Sequence, residues 1–157
     1  MKTLVTPLQV LKLAFAEGAY LPTDTVTEAD IAAAEHRYLV PVIGPALYEK
    51  LLAGEYADLR ADYLAAPAAL FTRLSLQPRL DVRTGQCGTS APKSDAGQPA
   101  DEKARRALLR TLRAEARAML RRAALHLRAH PDEFPEYNPA HDILNRCTTD
   151  GGIVQIR

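Results

Sequence analysis

The stretch "YLVPVIGPALYEKL", residues 38–51, places two prolines and a glycine inside sequence that is otherwise apolar and helix-favouring. Pro41 disfavours helical backbone at the residue before it, so the preceding helix is predicted to end there. Gly44 suits a helix cap or a positive φ angle, and Pro45 suits the first position of a new helix. The stretch therefore predicts a helix, a tight apolar corner and a second helix.

Helical sequence flanks this corner on both sides. Upstream, "TEADIAAAEHRYL" begins with Thr27, which is predicted to cap the helix together with Asp30 three residues later. A further helix is predicted over residues 7–17, with Pro7 in its first turn. Downstream, the second helix of the corner is predicted to end at Gly54.

The remaining sequence contains two more helical segments and a long loop. Residues 56–76 keep a helical spacing of apolar side chains, with a kink or restart predicted at Pro67. Residues 81–99 have no apolar periodicity and are predicted to form a long loop, although "LDVRTG" at its start fits a strand or half of a hairpin. Residues 100–130 form the clearest helix, with Leu108, Leu112, Met119, Ala123 and Leu127 on its predicted buried face.

These segments predict an all-α fold. We expect one domain over residues 1–157, a helical bundle of about five helices with a core mainly of Leu, Ala, Ile and Val. The end of the chain, residues 150–157, reads as an extended tail with a short strand. Its strand residues are predicted to contact "LDVRTG" or the sheet edge of another subunit; they are Ile153, Val154, Gln155 and Ile156.

The charge of +1 conceals a strong segregation along the chain. Residues 1–62 contain five basic and nine acidic side chains, for a net charge of −4. The following segments, 63–100, 101–130 and 131–157, carry +2, +6 and −3. A chain with oppositely charged segments can pair with copies of itself or direct a basic face at a polyanion.

A row of arginines follows one side of the long helix and is called the arginine face below. Its side chains fall within roughly 80° of one another around the helix, beside the apolar stripe; they are Arg106, Arg110, Arg113, Arg117, Arg121 and Arg128. The simplest interpretation is a solvated face that keeps the helix soluble. The alternatives are contact with the acidic half of a neighbouring copy, or non-specific and salt-dependent contact with nucleic acid.

No catalytic or cofactor motif emerges from the sequence, and no metal site is predicted. His126 and His130 have the spacing of a two-histidine zinc face but no evident third ligand, so they are interpreted as solvated. The carboxylates of Glu49, Glu55, Asp58 and Asp62 are likewise interpreted as a solvated face. Cys87 and Cys147 fall in predicted loops and are expected to stay reduced, in an intracellular protein with no membrane span.

The corner and its surroundings resemble the head–tail connector (adaptor) proteins of phages and prophages, especially those of Bacteroides-like bacteria. The pattern is a helix with small residues followed by six positions, here Tyr38, Leu39, Pro41, Gly44, Leu47 and Tyr48. A glycine-containing loop (Gly85, Gly88) and a long helix ending in an aromatic segment (Phe134, Tyr137) complete a match over roughly residues 5–138.

The resemblance implies a non-enzymatic helical subunit of a ring below the phage portal, with DNA passing through its centre. It also implies portal and tail proteins as partners, and locations in the bacterial cytoplasm during assembly and then in the virion. The loop 81–99 and the tail 150–157 are placed to reach neighbouring subunits. The alternatives are a nucleic-acid-binding regulatory protein that uses the arginine face and, less favoured, a small metal-dependent enzyme.

Overall fold

A break between two helices lies at Gly44, which has a positive φ angle in the computed structural model of the chain. The structure describes residues 2–15, 21–85, 88–90, 100–150 and 153–156, with side chains for all of these except 83–90 and 145–156. The chain is mostly helical. Its helices are α1 (Pro7–Ala14), α2 (Glu28–Ala34), α3 (Val40–Ile43), α4 (Pro45–Ala53), α5 (Ala57–Leu59), α6 (Ala65–Asp81), α7 (Glu102–Ala129) and α8 (Ile143–Arg146).

Local sequence chemistry sets several helix ends, as predicted. Thr27 and Asp30 form a capping box at the start of α2. Gly44 has a φ of 85° and separates α3 from α4, which begins at Pro45. Gly54 ends α4 in the left-handed conformation, with a φ of 95°. These positions confirm the predicted corner and both of its flanking helices.

Pro41 does not end its helix, and that prediction was wrong. A π-helical turn, Glu35–Leu39, joins α2 to α3, so the helix continues through Pro41 to Ile43. The N–H of Val40 donates to the carbonyl of Glu35, five residues earlier. In an α-helix a proline ring clashes with the carbonyl of the residue four positions earlier. For Pro41 that carbonyl lies inside the π-helical turn, and the wider turn relieves the clash.

Pro67 is accommodated in the same way. A second π-helical turn, Arg60–Leu64, joins α5 to α6, and the N–H of Ala65 donates to the carbonyl of Arg60. The predicted irregularity at Pro67 is therefore a wide turn just before the proline, and the helix runs on through Pro78. In both cases a π-helical turn precedes the proline, and the helix continues beyond it.

Helix α6 is the centre of the bundle and packs against α1, α2 and α7. Its first half is almost entirely buried, whereas Ser75 and Arg79 in its second half are exposed. Phe71 is 2% exposed and Leu74 5%, and the hydroxyl of Thr72 is satisfied by the carbonyl of Ala68 at 2.8 Å. On α7 the buried side chains are Leu112, Ala116, Leu120, Ala123, Ala124 and Leu127. Met119 is 40% exposed, so its predicted place on the buried face was wrong.

Two antiparallel strand pairs complete the described elements. β1 (Arg83–Gly85) pairs with β2 (Gly88–Ser90), and β3 (Cys147–Asp150) pairs with β4 (Ile153–Ile156). The partner of β4 in this structure, β3, was not among those considered from the sequence. The side chains of β3 and β4 and most of loop 81–99, including Cys87, lie outside the described residues, so the predicted contacts of the tail and loop with other subunits stay predictions.

Candidate functional site

Helix α7 carries the predicted arginine face. Its 28 residues span about 42 Å at 1.5 Å per residue. Asp101 caps the helix, since its carboxylate accepts a 2.7 Å hydrogen bond from the N–H of Ala104. One side of α7 is held against α6, and the flank beside this contact carries the arginines.

All six arginines of the arginine face are exposed. Arg106 forms an ion pair with Glu102 one turn earlier on the same helix. Among the described residues, the next four arginines of the row have no ion-pair partner; these side chains are Arg110, Arg113, Arg117 and Arg121. Their positive charge therefore faces outward along several turns of helix.

Arg128 belongs to a different environment from the other five. Its guanidinium lies 3.4 Å from the carboxylate of Asp142, which is fully buried. The same carboxylate accepts hydrogen bonds from the hydroxyl of Tyr137 at 2.9 Å and the N–H of Leu144 at 2.8 Å. Burial raises the pKa of the Tyr137 hydroxyl, and the hydrogen bond from Arg128 acts in the opposite direction. Arg128 thus helps to hold the segment that follows α7 against this helix.

An acidic patch lies near the C-terminal end of α7 and is formed by two segments of the chain. Tyr56 joins them, because its hydroxyl donates a 3.0 Å hydrogen bond to Glu136 and its ring meets Phe134 edge-on at 5.0 Å. The patch is defined by the carboxylates of both segments: Glu55, Asp58, Asp62, Asp132, Glu133 and Glu136. Lys50 neutralises Glu55 through a 3.0 Å ion pair. All of these carboxylates except that of Glu136 are exposed, and so is that of Glu49, as predicted for a solvated face.

The acidic patch and the arginine face lie on opposite flanks of α7. The side of α7 nearest the patch is marked by Arg122, which donates to the carbonyl of Asp62 at 3.0 Å, and by His126, whose ring stacks on Tyr63 at 4.2 Å. At about 100° per residue, this side is roughly 160° around the helix from the centre of the arginine face. The molecule therefore presents positive charge on one flank and mainly negative charge on the other, where Arg122 and Lys50 offset part of the negative charge.

His126 and His130 form part of an aromatic cluster. His126 is half-buried between Tyr63 and Phe134, so its interpretation as a solvated side chain was wrong. His130 is exposed, and its Nδ1 lies 2.9 Å from the carbonyl of His126. Within the described part of the chain, no group of three His, Cys, Asp or Glu side chains is arranged to hold a metal ion.

Sequence reasoning missed a buried carboxylate, that of Glu35 in the first π-helical turn. It is fully buried and accepts hydrogen bonds from the N–H of Leu4 and the hydroxyl of Tyr48, each at 2.8 Å. Burial raises the pKa of Glu35, although these hydrogen bonds act in the opposite direction. A signal was present, since Glu35 follows Ile31 by four residues and so shares its buried helix face.

The family comparison covers most of this architecture. A model of a family of unknown function, DUF6712, matches residues 39–144, about two thirds of the chain. The chain belongs to this family. The range that this DUF6712 member shares with its family includes Gly44, helix α6, the whole of α7 and the acidic patch. No curated protein and no solved structure matches the chain.

A separate finding concerns membranes. None of the helices in the described residues is long and apolar enough to cross a bilayer.

Proposed function

We propose that this DUF6712 member is a non-enzymatic assembly protein, a subunit of a prophage head–tail connector ring below the portal. The single observation that carries the proposal is the placement of the arginine face and the acidic patch on opposite flanks of α7. The proposal also draws on the resemblance of the corner around Pro41 and Gly44 to connector proteins.

Opposite charges on opposite flanks favour head-to-tail association. The arginine face of one copy is complementary to the acidic patch of the next, and each bound copy leaves one of its two surfaces free. Such a heterologous contact continues from copy to copy and produces a ring when the rotation closes, whereas a two-fold dimer uses the same surface on both copies. Charge complementarity also steers encounter and fixes register.

The ring's further partners follow from the same proposal. Portal and tail proteins are the expected neighbours, and the protein is expected in the bacterial cytoplasm during assembly and afterwards in the virion. The loop 81–99 and the tail 150–157 would supply contacts between subunits.

Native mass spectrometry over a range of protein and salt concentrations tests the assembly. We expect oligomers that grow with protein concentration and dissociate as salt rises, because exposed charge pairs are screened within about 10 Å at 0.1 M salt. A protein that remains monomeric at high concentration and low salt, and binds neither portal nor tail protein, would contradict the proposal.

A nucleic-acid-binding regulatory protein is the second candidate. The observation that favours it is the run of exposed arginines without ion-pair partners among the described residues, which suits contact with phosphates. A gel-shift series in salt separates the two functions: a DNA binder loses affinity steeply with salt. Absence of DNA binding at low salt would eliminate this candidate and leave the ring proposal intact.

A further inference from the structure

A narrow apolar slot lies between α3 and the middle of α7, beside the corner. Its floor is aromatic, since the ring of Tyr38 stacks on Phe71 with 4.4 Å between centroids and an interplanar angle of 9°. Leu120 of α7 and Ile143 of α8 line its sides, and Ile143 is 53% exposed at the surface. Large apolar side chains thus surround an opening that the described residues leave unfilled.

The slot has room for a single large side chain. It encloses about 160 Å³. An apolar cavity on the order of 150 Å³ holds a benzene ring. A phenyl or leucyl side chain from outside therefore fits, and its burial is favoured by the hydrophobic effect.

Two arginines from different elements line the slot. Arg37 belongs to the first π-helical turn and lies over the ring of Tyr38, with 5.3 Å from its Cζ to the ring centroid. Arg117 belongs to α7. Both are exposed, and neither forms an ion pair with any residue that the structure describes. Arginine is the side chain best suited to carboxylate recognition, because its planar fork donates two parallel hydrogen bonds.

The π-helical turn contributes directly to this arrangement. Arg37 and Tyr38 both lie within Glu35–Leu39, and Pro41, two residues beyond it, also lines the slot. Single π-helical turns inside α-helices occur often at functional sites. The irregularity that lets the helix pass Pro41 thus also shapes the slot.

We propose that this slot binds a segment of a partner protein in which one large apolar side chain is flanked by carboxylates. The apolar cavity takes the side chain, and Arg37 and Arg117 take the carboxylates. A second copy of this chain fits poorly, because none of its exposed large apolar side chains lies between two exposed carboxylates in the described sequence. Met119 has Glu115 one helical turn before it but Arg122 after it. No exposed carboxylate of the described residues lies next to the others, which are Leu8, Leu13, Leu125 and Ile143. Arg117 also belongs to the arginine face, so the slot shares this residue with the proposed ring contact, whereas the charge-exchange test of the ring uses Arg110, Arg113 and Arg121.

Peptide titrations test the slot. The probe is acetylated Asp-Asp-Phe-Asp-Asp amide, compared with one peptide in which Ala replaces Phe and another in which Lys replaces every Asp. We expect the probe to bind at least about tenfold more tightly than either comparison peptide, since both parts of the slot are needed. Amide shifts in NMR spectra should centre on Tyr38, Leu120 and Ile143.

Charge reversal at the slot provides the decisive variant. Arg37→Glu with Arg117→Glu should abolish the preference for the Asp peptide, while Arg110→Glu with Arg113→Glu, which makes the same charge change elsewhere, should keep it. Both variants alter exposed side chains, and circular dichroism checks that they are folded. Equal binding of all three peptides, or equal loss in both variants, would overturn the proposal. Self-association that depends on Arg37 would do the same, by showing that a second copy occupies the slot.

Discussion

The hydroxyl of Tyr48 donates a 2.8 Å hydrogen bond to the carboxylate of Glu35, although 13 residues and the helix break at Gly44 separate them. The carboxylate lies in the first π-helical turn, and the hydroxyl lies on α4 beyond Gly44. The other oxygen of Glu35 accepts the N–H of Leu4. One buried side chain therefore fixes the corner and anchors the N-terminal segment to it.

Removing this carboxylate should cost more than removing its donor. Glu35→Ala leaves the Tyr48 hydroxyl and the Leu4 N–H buried without an acceptor, and should lower the free energy of unfolding by about 2–4 kcal/mol. Tyr48→Phe removes one donor and keeps the ring, and should cost about 1–2 kcal/mol. Urea unfolding measures both values, and equal effects would show that the carboxylate does not link the two segments.

The raised pKa of Glu35 gives a pH dependence of defined sign. Because the folded-state pKa lies above the unfolded value, the folded protein takes up this proton first as pH falls. The contribution of Glu35 to stability is therefore greatest below the unfolded pKa and is lost as pH rises through the folded pKa. Glu35→Gln lacks this titration, so the wild-type protein should gain stability relative to the variant as pH falls from 7 towards about 4.5. A stability difference that is constant with pH, or that moves the other way, would refute the raised pKa.

The corner should be sensitive to any side chain at position 44. Gly44 has φ 85° and ψ 153°, a conformation essentially restricted to glycine, although an added Cβ would meet no atom within 4 Å. Gly44→Ala should therefore cost about 1–3 kcal/mol through backbone strain alone. Gly54 is the matched control: its left-handed conformation tolerates asparagine, so Gly54→Asn should cost less. Thermal unfolding compares the two, and a neutral Gly44→Ala would contradict the strain argument.

Arg128 should differ from the rest of the arginine face in its effect on stability. Arg128→Ala removes a charged partner from the buried carboxylate of Asp142 and should destabilise the fold by about 1–2 kcal/mol. Arg110→Ala, on the same exposed face, should change stability by no more than about 0.5 kcal/mol. Chemical denaturation measures the free energy of unfolding of both variants. Similar losses in the two would show that Arg128 does not stabilise the fold more than Arg110 does.

Local sequence chemistry predicted the helices and the corner well. The capping box at Thr27, the positive φ at Gly44 and the helix start at Pro45 depend on neighbouring residues, which the sequence displays directly. The passage of the helix through Pro41 was missed because the π-helical turn that permits it depends on packing elsewhere in the bundle. The exposure of Met119 was missed for a related reason, since the side on which α7 meets α6 determines it.

The candidate surfaces were predictable in part. The arginines of α7 share one exposed flank because helical spacing alone places them together. Their position opposite the acidic patch depends on how α5 and the segment after α7 meet through Tyr56 and Phe134, 78 residues apart in the chain. The slot likewise depends on tertiary packing, because Arg37 and Arg117 come from separate helices.

A charge-exchange experiment tests the central claim of head-to-tail assembly most directly. The first variant carries Arg110→Glu, Arg113→Glu and Arg121→Glu. Since Arg106 and Arg128 are ion-paired, Arg117 is then the one remaining arginine of the face without an ion-pair partner in the described residues, and both flanks become acidic. The second carries Asp58→Lys, Asp62→Lys and Glu133→Lys, which makes both flanks basic. All six positions are exposed, and each variant's fold is checked by circular dichroism.

Native mass spectrometry then compares each variant alone with an equal mixture. If the arginine face binds the acidic patch of the next subunit, neither variant assembles alone, and the mixture forms oligomers in which the two variants alternate. Assembly of either variant alone at the wild-type level, or failure of the mixture to assemble when the wild-type protein does, would contradict the account.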